Sequence, residues 1–262
     1  MVRGKYVAAV GILTAAVMLS GCEGGSEEKK GQEKKEKQEV TEESTDKSSE
    51  KKPEILHFVD VYGQPYEVEI RPEIEKHTYN LDGFLHDGYQ LSYTGDERYT
   101  YRLGVDVSEH QGDIDWEKVK AAGYDFAFIR VGYRGYGEAG RLCTDAMFHQ
   151  NIVEAQSAGI DVGVYFFAQA VNEAEAEADL VLQQLAGYQL QLPVVYDPES
   201  ILDDEARTDN VSGEQFTKNT AVFCQKIKEA GYQPTIYSNM LWEAYEPVSY
   251  THLRAHETVL DL

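Results

Sequence analysis

The chain has 262 residues, room for one large domain or two small ones, and 42% of them are apolar, enough for a genuine core. Its formal net charge of −22 excludes nucleic acid and anionic membrane surfaces as electrostatic partners, because a phosphate binder needs clustered Lys and Arg. Three Cys are too few for a disulfide framework, whereas 18 Tyr in an acidic chain is a composition compatible with binding neutral sugars.

Arg3 and Lys5 precede an apolar run from Tyr6 to Leu19. That run is shorter than the roughly 20 residues a membrane-spanning helix needs, and it suits the core of an export signal. It ends in Leu19-Ser20-Gly21-Cys22, which resembles a bacterial lipobox, so residues 1–22 read as a lipoprotein signal peptide with Cys22 as the lipidated residue. The expected location is the outer face of the bacterial cell membrane, held there by an N-terminal lipid anchor. Residues 23–53 are Glu, Lys, Ser, Gly and Gln with almost nothing apolar. Such a stretch cannot offset its ordering entropy and reads as a disordered tether, giving an anchored domain reach into the wall.

Residues 54–102 read as a small β-rich region. Ile55 to Tyr62 and Tyr66 to Ile70 partly alternate and are broken by Gly63-Gln64-Pro65 and Arg71-Pro72. Tyr79, Phe84, Tyr89, Tyr93, Tyr99 and Tyr101 recur with turns between them. These rings either bind glycan or dock the region onto the next domain.

From Leu103 the pattern becomes strand, helix, strand, helix. Leu103 to Val107 is a short strand, and Asp113 or Asp115 can cap a helix over Trp116 to Ala122. Phe126 to Gly132 is a second strand, interrupted only by Arg130. A helix over Thr144 to Ala158, a strand over Val162 to Phe167, a helix over Glu173 to Ala186 and a strand over Leu192 to Asp197 come next. Ser212, with Gln215 three residues later, resembles a capping box opening a helix to Ala230, and Pro234 to Ser238 is the fifth strand. The helices end alike, at Gly123, Gly159, Gly187 and Gly231, each placed for a left-handed stop. Alternation of this kind implies parallel pairing, which a doubly wound sheet and a barrel both satisfy. The first strand lacks a glycine-rich phosphate loop after it, which counts against a nucleotide fold.

In a β/α barrel, chemistry collects at the carboxyl ends of the strands. Asp106, Tyr165, Phe167, Asp197, Glu199 and Tyr237 all fall near such ends. Asp197 and Glu199 are two apart on an extended segment, so they point to the same side about 6–7 Å apart. Pro198 between them ends the strand. Two carboxylates this close cannot both ionise freely, and one pKa must rise. A protonated acid beside a charged one is what glycoside hydrolysis needs: the first protonates the leaving oxygen, and the second stabilises positive character at the sugar carbon. Other groups read more plainly. Cys143 and Cys224 are taken as small buried hydrophobes. His57, His77 and His110 show no ligand spacing, so a metal site is not expected. Arg130 is expected to pair with an acid inside the barrel, and Asp203-Asp204-Glu205 to form a solvated loop.

Three motifs carry a family resemblance. Gly104-Val105-Asp106-Val107-Ser108-Glu109-His110-Gln111-Gly112, followed by Ile114-Asp115-Trp116, resembles the opening signature of glycoside hydrolase family 25, the Chalaropsis-type lysozymes. Gly163 to Phe167 and Pro193 to Glu199 resemble its third-strand aromatic motif and its Asp-x-Glu pair. The resemblance implies a modified TIM-type (β/α)5(β)3 barrel at residues 103–247. It also implies cofactor-free cleavage of the β-1,4 bond between N-acetylmuramic acid and N-acetylglucosamine. By matching position, Glu199 would be the general acid. Asp197 would orient the substrate's N-acetamido group or a charge near it, and Asp106 would support the pair electrostatically. Tyr165, Phe167 and Tyr237 would line the saccharide groove. The implied partner is the peptidoglycan glycan strand, met by a monomer. The resemblance ends near Glu246, and residues 248–262 read as a non-native tail, so the chain is expected to lack the family's late strands and a further acid. A lipid-anchored wall-binding protein without turnover, and an enzyme for another N-acetylated glycan such as chitin, are the competing readings.

Overall fold

The structure is a computed structural model, and its described residues are 54–59, 63–70, 78–88, 90–199, 201 and 205–238. Cys22, the tether, His77, Tyr89, Asp203, Asp204 and the 248–262 tail lie outside them. The chain divides into two compact units, one holding the described residues up to Ile70 and the other those from Thr78 onward.

The first unit contains an antiparallel hairpin of β1 (Ile55–Val59) and β2 (Pro65–Glu69). Phe58 faces Tyr66 across it, with the rings stacked at 5.4 Å. Cross-strand aromatic pairs of this kind are what hold a two-stranded ribbon.

The second unit begins with another hairpin, β3 (Phe84–Asp87) and β4 (Gln90–Tyr93). Tyr79, Phe84, Tyr93 and Tyr99 pack against one another there, with centroids 4.5–6.3 Å apart. The Tyr93 hydroxyl donates to Asp96 at 2.9 Å and accepts from the Asn80 amide at 3.1 Å. These recurring rings therefore spend their faces on mutual packing.

The main sheet contains five parallel strands: β5 (Gly104–Val107), β6 (Phe126–Arg134), β8 (Asp161–Ala168), β9 (Val194–Pro198) and β10 (Pro234–Ile236). A short β7 (Leu142–Thr144) pairs antiparallel with β6. The parallel strands lie side by side in chain order. A doubly wound sheet would reverse that order at a switch point, and no reversal occurs among the described strands. Four helices fill the crossovers: α1 (Trp116–Ala121), α2 (Phe148–Ser157), α3 (Ala174–Gln184) and α4 (Gly213–Glu229). The result is an α/β fold with a mostly parallel central sheet.

Local chemistry explains the boundaries. The Asp115 carboxylate caps α1 by accepting from the Lys118 amide at 3.1 Å, and Ser212 caps α4 by accepting from the Gln215 amide at 3.3 Å. Only half of the expected box forms at Ser212, and the Gln215 Nε2 donates to Asn219 Oδ1 at 2.9 Å. Gly123, Gly159, Gly187 and Gly231 adopt φ of 93°, 75°, 91° and 91°, the left-handed stops the sequence pattern requires.

One expected helix starts late. The segment from Thr144 becomes helical only at Phe148, and Leu142–Thr144 forms β7. Asp145 explains this: its side chain accepts from the Met147 amide at 3.0 Å, turning the chain before α2 can begin. Cys143 consequently sits half-buried on β7 rather than in the core, whereas Cys224 is buried as expected.

Strand alternation divides the sheet into two faces. Ala127, Ile129 and Val131 of β6 and Val162, Val164, Phe166 and Ala168 of β8 join the core with Phe148, Ile152 and Ala155 of α2 and Ala174, Ala178 and Val181 of α3. Val194 and Tyr196 of β9 pack with Phe223 and Ile227 of α4. The opposite face carries Asp106, Arg130, Tyr165 and Asp197.

Candidate active site

That opposite face is set by register. Asp106 pairs with Phe128, which pairs with Gly163; Arg130 pairs with Tyr165, which pairs with Val195; Phe167 pairs with Asp197. Gly163 has a specific use, because a Cβ there would lie 2.4 Å from the Phe128 ring. The missing side chain lets that ring cross β8 beneath the polar residues.

Asp106 is accessible to water yet crowded by protein. Crowding pushes its carboxyl upward, and the Tyr165 hydroxyl within hydrogen-bonding reach and the Arg130 charge partly restore it. Asp197 is only 7% exposed, and among the described residues its Oδ1 has no hydrogen-bond partner. Burial raises its pKa well above the usual carboxylate range. The Glu199 and Asp106 charges add to the rise, and Arg130 opposes it. Tyr165 is pushed up by burial and by the Asp106 charge, with Asp197 also contributing. Asp106, Tyr165, Asp197 and Glu199 therefore share one electrostatic neighbourhood, and the Arg130 charge acts on the first three of them.

Phe167 and Tyr237 reach the same end of the sheet by register alone. Phe167 is half-buried beside Asp197, and the Tyr237 amide donates to the Tyr196 carbonyl at 2.9 Å, continuing β10 alongside β9.

Arg130 does pair with acids. Its Nε donates to Asp145 at 2.8 Å and its Nη2 to Glu109 at 3.3 Å, while its guanidinium lies 4.9 Å from the Tyr133 ring centroid. Ser108 and Gln111 form a full capping box just after β5, with the Ser108 amide donating to Gln111 Oε1 at 2.7 Å. Ser-x-x-Gln is legible in the sequence and fixes the short turn that carries Glu109.

A second polar cluster was not anticipated. Arg134, the last residue of β6, donates to Glu177 of α3 at 2.7 Å and to the Gly140 carbonyl at 2.8 Å. Glu177 also accepts from the Tyr196 hydroxyl and from the Gln169 amide, each at 3.3 Å. A signal existed: Ala174, Ala178, Val181 and Leu185 mark the buried face of α3, and Glu177 falls on it. Nearby, burial alone would raise Glu173, but the Arg207 guanidinium and the Asn172 and Val171 amides hold it at about 2. Among the described residues no group of His, Cys, Asp and Glu is arranged to hold a metal ion.

The family comparison falls on the carboxylates near the strand ends. The model of the glycosyl hydrolases family 25 matches residues 105–258. The chain belongs to that family. The match takes in Asp106, Asp197, Glu199 and Tyr237, and it extends past Glu246, where the resemblance in the sequence ends. This family 25 chain is 36% identical over 100 residues to Lysozyme M1 of Streptomyces globisporus, covering 37% of this chain and 32% of that protein. It is 24% identical over 135 residues to an autolytic lysozyme of Clostridium acetobutylicum, covering 52% of this chain and 37% of that one. The aligned stretch thus spans about a third of each curated relative. A family 25 glycosyl hydrolase of Bacillus anthracis superimposes with a TM-score of 0.49 at 26% identity, covering 60% of this chain and 69% of the other.

Proposed function

We propose that this chain is an exported muramidase that cleaves the β-1,4 bond between N-acetylmuramic acid and N-acetylglucosamine in peptidoglycan. The observation that carries the reading is the meeting of Asp106, Asp197 and Glu199 at the carboxyl ends of β5 and β9, with Asp197 buried and short of partners. Family membership and the lysozyme names of the curated relatives support it.

In this reading Glu199 protonates the leaving glycosidic oxygen. Asp197 orients the N-acetamido group, or a charge near it, and its unpartnered Oδ1 leaves an acceptor free for the substrate. Asp106 and Tyr165 shape the field around the pair, and Tyr165, Phe167 and Tyr237 line the saccharide groove. The sheet forms part of a (β/α)5(β)3 barrel wall, a reading supported by its sequential parallel order. Residues 1–22 act as a lipoprotein signal, Cys22 carries the lipid, and residues 23–53 tether the domain to the outer face of the cell membrane. The domain works as a monomer on glycan strands.

The test is zymography on peptidoglycan with reducing-end analysis of the products. The chain should clear the substrate and release muramic acid reducing ends, and Glu199→Gln should lose about 10²–10⁴-fold in turnover with its melting temperature kept. Glycan binding without clearing would instead favour a wall-binding role, and hydrolysis of chitin without clearing of peptidoglycan would favour another N-acetylated glycan.

A further inference from the structure

Glu199 lies just outside the strand that delivers it. β9 ends at Pro198, so Glu199 is the first residue past the strand. A general acid must still be held to within a fraction of an ångström, since a displacement of about 1 Å costs about 10²-fold in rate.

We propose that Gln169 is the positioning residue for Glu199, acting through its backbone carbonyl; this rests on the reading of Glu199 as the acid. Gln169 follows β8 and is 1% exposed. Its Nε2 donates to the Glu199 carbonyl at 2.5 Å, and its Oε1 accepts from the Thr208 hydroxyl at 3.0 Å. One side-chain amide therefore ties the start of the 199–208 connection to its end. The amide is itself anchored on both sides. The Gln169 N–H donates to Glu177 at 3.3 Å, and its carbonyl accepts from Arg207 Nη1 at 3.1 Å. Arg207 in turn donates to Glu173 at 2.7 Å. Every polar group of Gln169 is thus used, and the Arg134–Glu177 ion pair stands directly behind it. Thr208 is 5% exposed, so its hydroxyl has little water to fall back on. The assignment gives the second polar cluster a use: it is the footing on which the acid stands.

The test measures kcat, KM and the pH–rate profile of the full chain on soluble peptidoglycan fragments. Gln169→Met keeps the side-chain length and removes both hydrogen bonds. It should lower kcat by about 10–100-fold with KM changed less than about threefold, and it should displace the limb of the pH profile that depends on Glu199→Gln-sensitive turnover. Thr208→Val, which leaves Gln169 in place but frees its Oε1, should lower kcat by a smaller factor in the same pattern. Thr208→Ser, which restores the hydroxyl, should recover most of that loss. Thermal melts confirm that each variant is folded, and if Gln169→Met does not fold, the Thr208 pair decides. A folded Gln169→Met with wild-type kcat and pH profile overturns the proposal, as does Thr208→Ser behaving like Thr208→Val. The two readings fail distinguishably. Full activity in Glu199→Gln, or none in the parent chain, removes the function and this inference with it, whereas a dead Glu199→Gln beside an unaffected Gln169→Met removes only the positioning role.

Discussion

Two buried acids, Glu177 of α3 and Asp197 of β9, are treated by the protein in opposite ways. Glu177 is fully buried and satisfied, with Arg134 at 2.7 Å, the Tyr196 hydroxyl and the Gln169 amide around it. Asp197 is almost as buried, yet its Oδ1 has no partner among the described residues, and its nearest charges include two other carboxylates. Burial pushes both pKa values upward, but only at Glu177 does a hydrogen-bonded cation oppose the rise directly. Buried polar groups in native proteins are normally partnered, and a protein leaves one bare at a cost to its own stability. A paired acid secures the scaffold, whereas under the proposed function the Asp197 Oδ1 is left for the substrate.

Breaking the paired side should have the largest effect. Arg134→Met leaves Glu177 buried without its cation, and chemical denaturation should report a loss of about 3–5 kcal/mol. Arg130 belongs to both regions, because it is bonded to Asp145 and Glu109 and its charge also reaches Asp106 and Asp197. Arg130→Met should cost about 1.5–3 kcal/mol, less than Arg134→Met, since Asp145 keeps the Glu109 and Met147 amides. It should also raise the pH at which activity sets in, because a cation that favours the ionised carboxylates is gone. The smallest effect is expected at the rim. The Glu173 side chain is 36% exposed, so solvent screens its pair with Arg207, and Glu173→Gln should cost less than about 1 kcal/mol. Its sign in pH is fixed: a lowered pKa stabilises above the ordinary value of 4.5, and that contribution should fade as pH falls toward about 2.

The sequence made the scaffold legible where a local signal coincides with a tertiary demand. The four glycine stops and the Asp115 and Ser212 caps are set by adjacent backbone, so they could be read directly. The Asp197–Glu199 spacing was legible only as a motif: strand geometry would put both on one side, but β9 stops at Pro198 and Glu199 lies one residue beyond it. β7 was not legible, because the turn at Asp145 that creates it is stabilised in part by Arg130 and Glu109, distant in sequence. The Arg134–Glu177 pair spans a strand and a helix, and only the buried stripe of α3 hinted at it. Gln169 escaped notice because a glutamine after a strand has no pattern until Thr208 and Glu199 meet it in space.

Asp197→Asn tests the central claim most directly, by reducing-end release and thermal melts measured together across pH. Because the folded pKa of Asp197 is raised, the folded state holds its proton longer than the unfolded chain does. Its contribution to stability is therefore present below the ordinary carboxylate value of 3.8 and is lost as pH rises through the folded value. The amide mimics the protonated form at every pH. The variant should match the parent chain in acid and become more stable than it by about 0.5–2 kcal/mol toward neutral pH, while losing most of its turnover. A variant that melts earlier at neutral pH, or that keeps parental turnover, would contradict the division of these acids into those that hold the fold and those that do the chemistry.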